Sequence, residues 1–183
     1  MQYKITPPTH IEDTILLPAS KSISNRALII HALAGGNIMP ENLSTCDDTA
    51  VIARAFKDNP YEIDIMAAGT AMRFMTAYLA VTEGEHVLTG TERMKQRPIK
   101  ILVDALRFLG ADIQYTGEEG FPPLLIKGKK LKGGSVEVAG NVSSQYVSAL
   151  LMIGPTLEKG LELKLLGNVI SRPYIDLTLN LMH

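Results

Sequence analysis

The residues best suited to bind a ligand lie in short turns that open apolar helices. Lys21, Ser22 and Arg26 occupy the first such turn. Arg26 follows Ser22 by four residues, so both side chains can lie on one face of the helix that begins there. Lys and Arg bind phosphates and carboxylates, and the backbone N–H groups of a helix N-terminus add to that attraction. This pattern predicts a binding site for an anion.

Two further turns repeat the arrangement with different polar groups. Gly69-Thr70 opens an apolar helix that carries Arg73, and the Ser-Ser-Gln run at 143–145 offers hydrogen-bond donors and acceptors without charge. Arg97 stands directly before Pro98, a residue suited to the first position of a helix. Together the turns predict one site for a small, strongly anionic, hydroxylated ligand, with its charges on Arg and Lys and its hydroxyls on Ser and Gln.

Simpler roles compete for the same residue types. Ser, Thr and Asn before a helix usually cap it, and a single Lys or Arg is usually a solvated surface charge. Asp47 and Asp48 are interpreted as N-caps rather than as a catalytic acid pair, and Cys46 beside them as structural. The sequence contains neither a P-loop pattern nor a dinucleotide-binding fingerprint.

Composition excludes other classes of function. The 183 residues carry a net charge of −1 and are 46% apolar and 20% charged, which is typical of a globular protein. The charge balance argues against nucleic acid or a membrane surface as the partner. With no membrane-spanning apolar run, no signal peptide and a single Cys, a cytoplasmic location is expected. The four scattered His offer no metal-ligand cluster.

Strand and helix patterns divide the chain into three loosely similar units. Each unit opens with a β-like run, at 14–17, 63–66 and 135–138, which a polar turn and an apolar helix follow. A hairpin rich in Gly and Pro is predicted at 112–132. This alternation predicts an α/β repeat architecture. The last helix, 174–183, has no C-cap, so we expect the chain to be the first part of a longer polypeptide.

Five motifs, in order along the chain, resemble those of the enolpyruvyl transferases. The first is Pro-Ala-Ser-Lys-Ser-Ile-Ser-Asn-Arg-Ala-Leu at 18–28, and the second is Ala-Gly-Thr-Ala-Met-Arg at 68–73. The third joins Leu-Thr-Gly at 88–90 to Arg-Met-Lys-Gln-Arg-Pro at 93–98. The last two are Ser-Ser-Gln-Tyr at 143–146 and Ser-Arg-Pro-Tyr-Ile-Asp at 171–176. The resemblance extends from about residue 14 to the last residue.

For the fold, the resemblance implies an α-β prism. This is an inside-out α/β barrel built from repeated βαβαββ units, with helices inside and sheets outside. Residues 1–183 would form the N-terminal domain of a two-domain enzyme, with two full repeat units and most of a third. Residues 1–13 would cross over toward the C-terminal domain. The helix N-termini of both domains would face the cleft between them.

For function, the resemblance implies transfer of the carboxyvinyl group of phosphoenolpyruvate to the 5-hydroxyl of shikimate 3-phosphate, with release of phosphate. It implies neither a metal nor an organic cofactor. The partners are the two anionic substrates and the C-terminal domain of the same polypeptide, in an enzyme expected to be a monomer at full length. The family's proton-transfer carboxylates lie in that C-terminal domain, so the present chain is expected to be inactive alone.

By position, the resemblance assigns the motif residues to the two substrates. Lys21 is assigned to both and is the catalytic candidate. The residues assigned to shikimate 3-phosphate are Ser22, Arg26, Ser143, Ser144, Gln145, Ser171 and Tyr174. Gly69 and Arg97 are assigned to phosphoenolpyruvate, and Gln145 lies between both substrates.

One departure and two alternatives accompany this prediction. Met66-Ala67 stand where the family usually has Gly-Asn, so no side-chain contact is predicted from the Asn position. The alternative enzyme is the branch of the family that acts on UDP-N-acetylglucosamine, although its reactive-cysteine loop has no counterpart here. The alternative outside enzymes is a non-catalytic anion-binding module.

Overall fold

Helices and strands alternate along most of the chain in the computed structural model, which describes residues 2–183. Within these residues the helices are α1 (Lys21–Leu33), α2 (Asp47–Asp58), α3 (Gly69–Val81), α4 (Glu92–Lys95), α5 (Lys100–Phe108), α6 (Ser144–Ile153) and α7 (Arg172–Met182). A 3-10 helix at Gly154–Thr156 follows α6. The strands are β1 (Glu62–Asp64), β2 (Gly84–Thr89), β3 (Asp112–Tyr115), β4 (Leu124–Gly128), β5 (Gly134–Ala139) and β6 (Leu161–Leu166).

The strands form two sheets of different size. The larger sheet has the order β1-β2-β4-β3, in which β1 and β2 are parallel and the other two pairs are antiparallel. The smaller sheet is the parallel pair of β5 and β6. The elements from β1 to β4 therefore contain the complete βαβαββ pattern. The hairpin predicted at 112–132 is confirmed by the antiparallel pairing of β3 with β4.

The helices lie inside and the sheets outside. Eleven of the 13 residues of α3 are buried, as are eight of the ten residues of α6. A helix that is apolar on all sides is stable only when it is surrounded by protein. The strands alternate buried and exposed residues, and β6 contains no fully buried residue. One face of each sheet thus covers the central helices while the other faces solvent.

The prediction of a strand at 14–17 is wrong. Residues 2–20 form neither helix nor strand, and the side chains of Ile15, Leu16 and Leu17 are 77–90% exposed. A strand needs a neighbour for its backbone hydrogen bonds, and none of the six described strands pairs with this segment. The first unit therefore contributes α1 and α2 but no strand to the described structure.

The first two helices begin at residues set by their caps. Helix α1 begins at Lys21, because the Ser20 hydroxyl caps it by accepting from the Ile23 N–H. The N-cap of α2 is Cys46, so the prediction of Asp47 or Asp48 as N-cap is wrong. Both carboxylates lie instead in the first turn of α2, where the helix dipole favours negative charge.

Candidate anion-binding site

A cavity of about 310 Å³ lies where the first turns of several helices meet. The residues that line it come from α1, α3, α6 and α7 and the residue before α6, and they are Lys21, Ser22, Arg26, Thr70, Ser143, Ser144, Gln145 and Tyr174. The three polar turns that the sequence singled out therefore come together in space. We call this space the hydroxyl-lined cavity.

Arg26 is a buried cation without an acidic partner. Its side chain is only 2% exposed, and its guanidinium lies 5.2 Å from the Phe74 ring and 5.9 Å from the Tyr174 ring. The described structure gives it no ion pair, and burial lowers its pKa. Arginine nevertheless stays charged in proteins, so the positive charge is retained inside the fold and remains available to an anion.

Lys21 and Thr70 share one carboxylate. The Lys21 Nζ lies 3.4 Å from Asp48 Oδ2, and the backbone N–H of Thr70 donates to Asp48 Oδ1 at 3.2 Å. Asp48 thereby links the first turns of α1, α2 and α3. The Lys21 side chain is 49% exposed, so this long ion pair is weak and leaves the ammonium free to turn toward a bound anion.

A second cavity, of about 420 Å³, contains a cluster of arginines. Arg93 and Arg97 line it together with Ala67 and Met94. Burial and then the positive charges of Arg73 and Arg93 lower the pKa of Arg97. Within residues 2–183 neither of the two lining arginines has an ion pair or a side-chain hydrogen bond, so their donors are free. We call this space the arginine cavity.

Because Gly69 has no side chain, the guanidinium groups of Arg73 and Arg97 can lie against the first turn of α3. A Cβ atom at this position would collide with Arg97 Nη1 and would lie 2.7 Å from Arg73 Nη1. Arg73 is 7% exposed, donates from Nη1 to the Gly69 carbonyl at 2.8 Å and lies over the Tyr146 ring at 5.6 Å. Its Nε is buried without a hydrogen-bond partner. Among the described residues, Asp48 acts on Arg97 only at a distance, and the guanidinium of Arg73 keeps a free donor.

Gln145 and Thr70 connect the regions around the two cavities. Gln145 Nε2 donates to Thr70 Oγ1 at 3.1 Å, and Thr70 follows Gly69 directly in the first turn of α3. Ser143 both lines the hydroxyl-lined cavity and caps α6, because its hydroxyl accepts from the Gln145 N–H. The interpretation of Ser143 as a cap is therefore confirmed, and its role in ligand binding stays a prediction.

Ser171 is not among the residues that line either cavity. It is exposed, has a φ of 55° and is the N-cap of α7 without a side-chain capping bond. Met66, at the departure from the family motif, also has a left-handed φ of 55°. A φ of this size is uncommon outside glycine. The strand β1 ends at Asp64, just before this turn in the backbone and two residues before its predicted end.

Two residues of the site were not predicted to belong to it. Arg93 lines the arginine cavity, and Asp48 bonds to Lys21 and Thr70 of the hydroxyl-lined cavity. Arg93 stands inside the third quoted motif, so that motif was a usable signal. Thr70 and Arg73 lie in a turn that the sequence singled out, although neither was assigned to a substrate. Asp48 lies 22 residues before Thr70 in the chain, and no local pattern brings the two together.

The two cavities can hold two anions side by side. The cations Lys21, Arg26 and Arg97 and the first turns of α1, α3 and α6 surround them, so their charges and dipoles favour phosphate or carboxylate groups. Among residues 2–183 no Asp or Glu lines either cavity, no group of three acidic, His or Cys side chains is placed to hold a metal ion, and no helix is long and apolar enough to cross a membrane. The fold and the site define an α/β domain with helices inside, sheets outside and two cation-lined cavities.

Comparison with known proteins defines the family. The family model described as EPSP synthase (3-phosphoshikimate 1-carboxyvinyltransferase) matches residues 5–59 and 54–183. A 3-phosphoshikimate 1-carboxyvinyltransferase of Bacteroides fragilis is 63% identical over the whole chain, and one of Mannheimia succiniciproducens is 43% identical over 97% of it. The chain belongs to the EPSP synthase family. It spans 44% and 48% of the length of these two relatives.

A solved structure confirms the predicted fold. EPSP synthase from Acinetobacter baumannii superposes with a TM-score of 0.73 at 23% identity, over 88% of this chain and 42% of that one. Together with the buried helices and outward sheets, this similarity confirms the inside-out α/β barrel.

Proposed function

We propose that this chain supplies one wall of an active site that transfers the carboxyvinyl group of phosphoenolpyruvate to the 5-hydroxyl of shikimate 3-phosphate, with release of phosphate. The family and the names of its relatives support this transferase. The predicted alternative that acts on UDP-N-acetylglucosamine has no comparable support. Shikimate 3-phosphate would occupy the hydroxyl-lined cavity, and phosphoenolpyruvate the arginine cavity.

The observation that carries this proposal is that two cavities lined by cations lie on either side of the first turn of α3. Within residues 2–183, Arg26 in one cavity and Arg97 in the other form no ion pair, and Thr70 hydrogen-bonds to Gln145 between them. Two anions repel each other unless cations and helix dipoles offset their charges. A site built in this way suits a reaction that joins two anionic substrates.

Each candidate residue has a role that its position supports. Arg26, Ser22, Ser144 and Tyr174 would bind shikimate 3-phosphate, and Ser143 would add a hydroxyl at the cavity edge. Arg97 and the backbone at Gly69 would bind phosphoenolpyruvate. Ser171 would join the shikimate 3-phosphate site only after a local rearrangement.

Lys21 would serve both substrates. Its ammonium lies beside Asp48, which also accepts from the Thr70 N–H at the start of α3. From there it can offset negative charge on the departing phosphate and on the 5-oxygen as that oxygen loses its proton, while Gln145 lies between the substrates.

The part of the relatives that this chain does not span would supply the opposite wall. The exposed apolar side chains of Ile11, Ile15, Leu16 and Leu17 support a crossover segment that packs against that part. Because this exposure continues through Leu17, we extend the crossover proposed for residues 1–13 to 17. Proton-transfer carboxylates would also come from the opposite wall, and the enzyme would act as a monomer.

Titration of the chain with each substrate tests the proposal. In a ¹⁵N-labelled sample, shikimate 3-phosphate should shift the amide resonances of residues 21–26 and 143–146. Phosphoenolpyruvate should shift those of residues 67–70 and 93–97. UDP-N-acetylglucosamine should shift neither set. Absence of both substrate responses, or shifts confined to other parts of the fold, would contradict the proposed function.

A further inference from the structure

Arg26 is held by neutral groups that come from two other helices. Its Nε donates to Thr178 Oγ1 at 2.7 Å, and its Nη2 donates to Ser148 Oγ at 2.9 Å. Thr178 lies on α7, Ser148 lies on α6, and both side chains are completely buried. Backbone carbonyls of Ser22 and Tyr174 accept further bonds at 2.9 and 3.4 Å.

The arrangement fixes the guanidinium without neutralising it. A buried Arg is normally paired with a carboxylate, and a buried unpaired charge is costly. Here every described acceptor is a hydroxyl or a carbonyl, so the positive charge remains for a ligand. Of the five N–H groups of the guanidinium, one on Nη1 is left without an acceptor, and Arg26 lines the hydroxyl-lined cavity.

We propose that Thr178 and Ser148 are positioning residues, which orient the Arg26 guanidinium toward an anionic group of shikimate 3-phosphate. Neither hydroxyl lines the cavity, so both act through Arg26. The two hydroxyl oxygens are 2.8 Å apart, so Arg26 on α1, Ser148 on α6 and Thr178 on α7 form one hydrogen-bonded network. The identity of the ligand rests on the proposed function, whereas the orientation of Arg26 does not.

The chain offers a matched control for Thr178. Thr76 on α3 is also completely buried and donates to the carbonyl four residues before it, at 2.7 Å, as Thr178 does to Tyr174 at 2.8 Å. Thr76 does not contact an arginine through its hydroxyl. Thr178→Val and Thr76→Val therefore remove the same group from the same kind of position, and Thr178→Ser restores the hydroxyl.

Two measurements on the full chain test the proposal. Solvent exchange of the Arg26 Nε–H, followed by NMR without ligand, reports whether the guanidinium is held. Titration with shikimate 3-phosphate reports whether this matters for binding. We expect Thr178→Val to accelerate exchange and to weaken binding about tenfold or more, the effect of losing a hydrogen bond to a charged group. Thr178→Ser should lie within about threefold of the unmodified chain, and Thr76→Val should change neither quantity.

Several outcomes would overturn the proposal. These are unchanged exchange in Thr178→Val, normal binding despite faster exchange, failure of Thr178→Ser to restore either quantity, or equal losses in Thr76→Val. If Thr178→Val does not fold, Ser148→Ala is measured in its place, and unchanged exchange and binding there overturn the proposal. If the unmodified chain binds no shikimate 3-phosphate, the proposed ligand is wrong, and the exchange rates alone decide whether Thr178 holds Arg26.

Discussion

Arg97 and Arg26 differ in solvent exposure, so replacing each of them should have a different effect on ligand binding and on stability. Arg97 is exposed, with no side-chain hydrogen bond among the described residues, whereas Arg26 is buried and bonded on three nitrogens. We expect Arg97→Ala to weaken phosphoenolpyruvate binding about ten- to a hundredfold, because bonds to charged groups contribute about 1.5–3 kcal/mol. Isothermal titration of the chain measures this.

The control for Arg97 is Arg54→Ala on the exposed face of α2. It should leave phosphoenolpyruvate binding unchanged, and Arg97→Ala should leave shikimate 3-phosphate binding unchanged. Equal losses of both ligands in Arg97→Ala would show that the two anions do not occupy separate cavities.

Arg26→Ala should weaken shikimate 3-phosphate binding by a similar factor and should also destabilise the fold. It removes partners from the Ser148 and Thr178 hydroxyls, both of which are buried. Thermal unfolding should therefore show a lower Tm for Arg26→Ala than for Arg97→Ala. A Tm equal to that of the unmodified chain would contradict this structural role for Arg26.

Replacement of Lys21 should affect the binding of both substrates, whereas replacement of either arginine should mainly affect the binding of one. Because it lies at the start of α1 beside Asp48, which also binds the start of α3, we expect Lys21→Ala to weaken both substrates. Titration with each ligand separately measures the two losses. Lys164→Ala on β6 serves as the control, because its ammonium also pairs with a carboxylate but lines neither cavity. Loss of one ligand only would assign Lys21 to a single substrate.

Residue types and spacing predicted most of the site, but not its supporting contacts. Lys21, Arg26 and Gln145 stand in motifs whose chemistry is visible in the sequence. Ser148 and Thr178 sit within apolar helices, where a hydroxyl usually bonds to its own backbone. Only the packing of α1 against α6 and α7 turns these hydroxyls toward Arg26.

At the scale of elements, a side chain at Gly69 would displace the arginines that lie against the start of α3. Gly69→Ala would place a methyl group against Arg97 Nη1, with Arg73 Nη1 at 2.7 Å. We expect the arginines to move and phosphoenolpyruvate binding to weaken about tenfold. Gly154→Ala is the control, because its Cβ would meet Leu161 at an ordinary 3.4 Å. Unchanged binding in Gly69→Ala would show that the position of Arg97 does not matter.

Helix α7 should be the least protected of the helices with eight or more residues. It buries only Ile175 and Thr178, whereas α6 buries eight residues. Few buried contacts lower the free energy of local opening. Amide hydrogen exchange should therefore be faster at 174–182 than in α1, α2, α3, α5 and α6. Equal protection of α7 and α6 would contradict this expectation.

The elements that the sequence predicted correctly are those whose patterns are satisfied locally. The Gly and Pro residues of the hairpin at 112–132 indicate a structure that forms from nearby residues. The run at 14–17 has the composition of a strand but finds no partner strand among the described residues. Composition cannot show whether a partner strand is present.

At the scale of the whole molecule, the chain would supply a cationic wall without the groups that move protons. The proposed reaction requires a proton to leave the 5-hydroxyl, and it requires a proton to be added to the methylene carbon of phosphoenolpyruvate and one to be removed from it again. Among the described residues, Asp48 is the carboxylate that bonds to residues lining the hydroxyl-lined cavity, and its oxygens already accept from Lys21 and Thr70. General acid–base groups contribute about 10²–10⁴-fold to such steps.

We therefore expect the chain alone to be catalytically silent while it still binds both substrates. Phosphate release from phosphoenolpyruvate plus shikimate 3-phosphate measures the activity, with the Bacteroides fragilis relative, of which the chain spans 44%, as the positive control. The rate should lie at least about 10⁴-fold below the order of 10 s⁻¹ that is typical of enzymes, since proton transfer and the opposite wall are both missing. A normal rate would place the proton-transfer groups within these 183 residues. Asp48 would then be the first residue to replace, because its carboxylate lies between Lys21 and the start of α3.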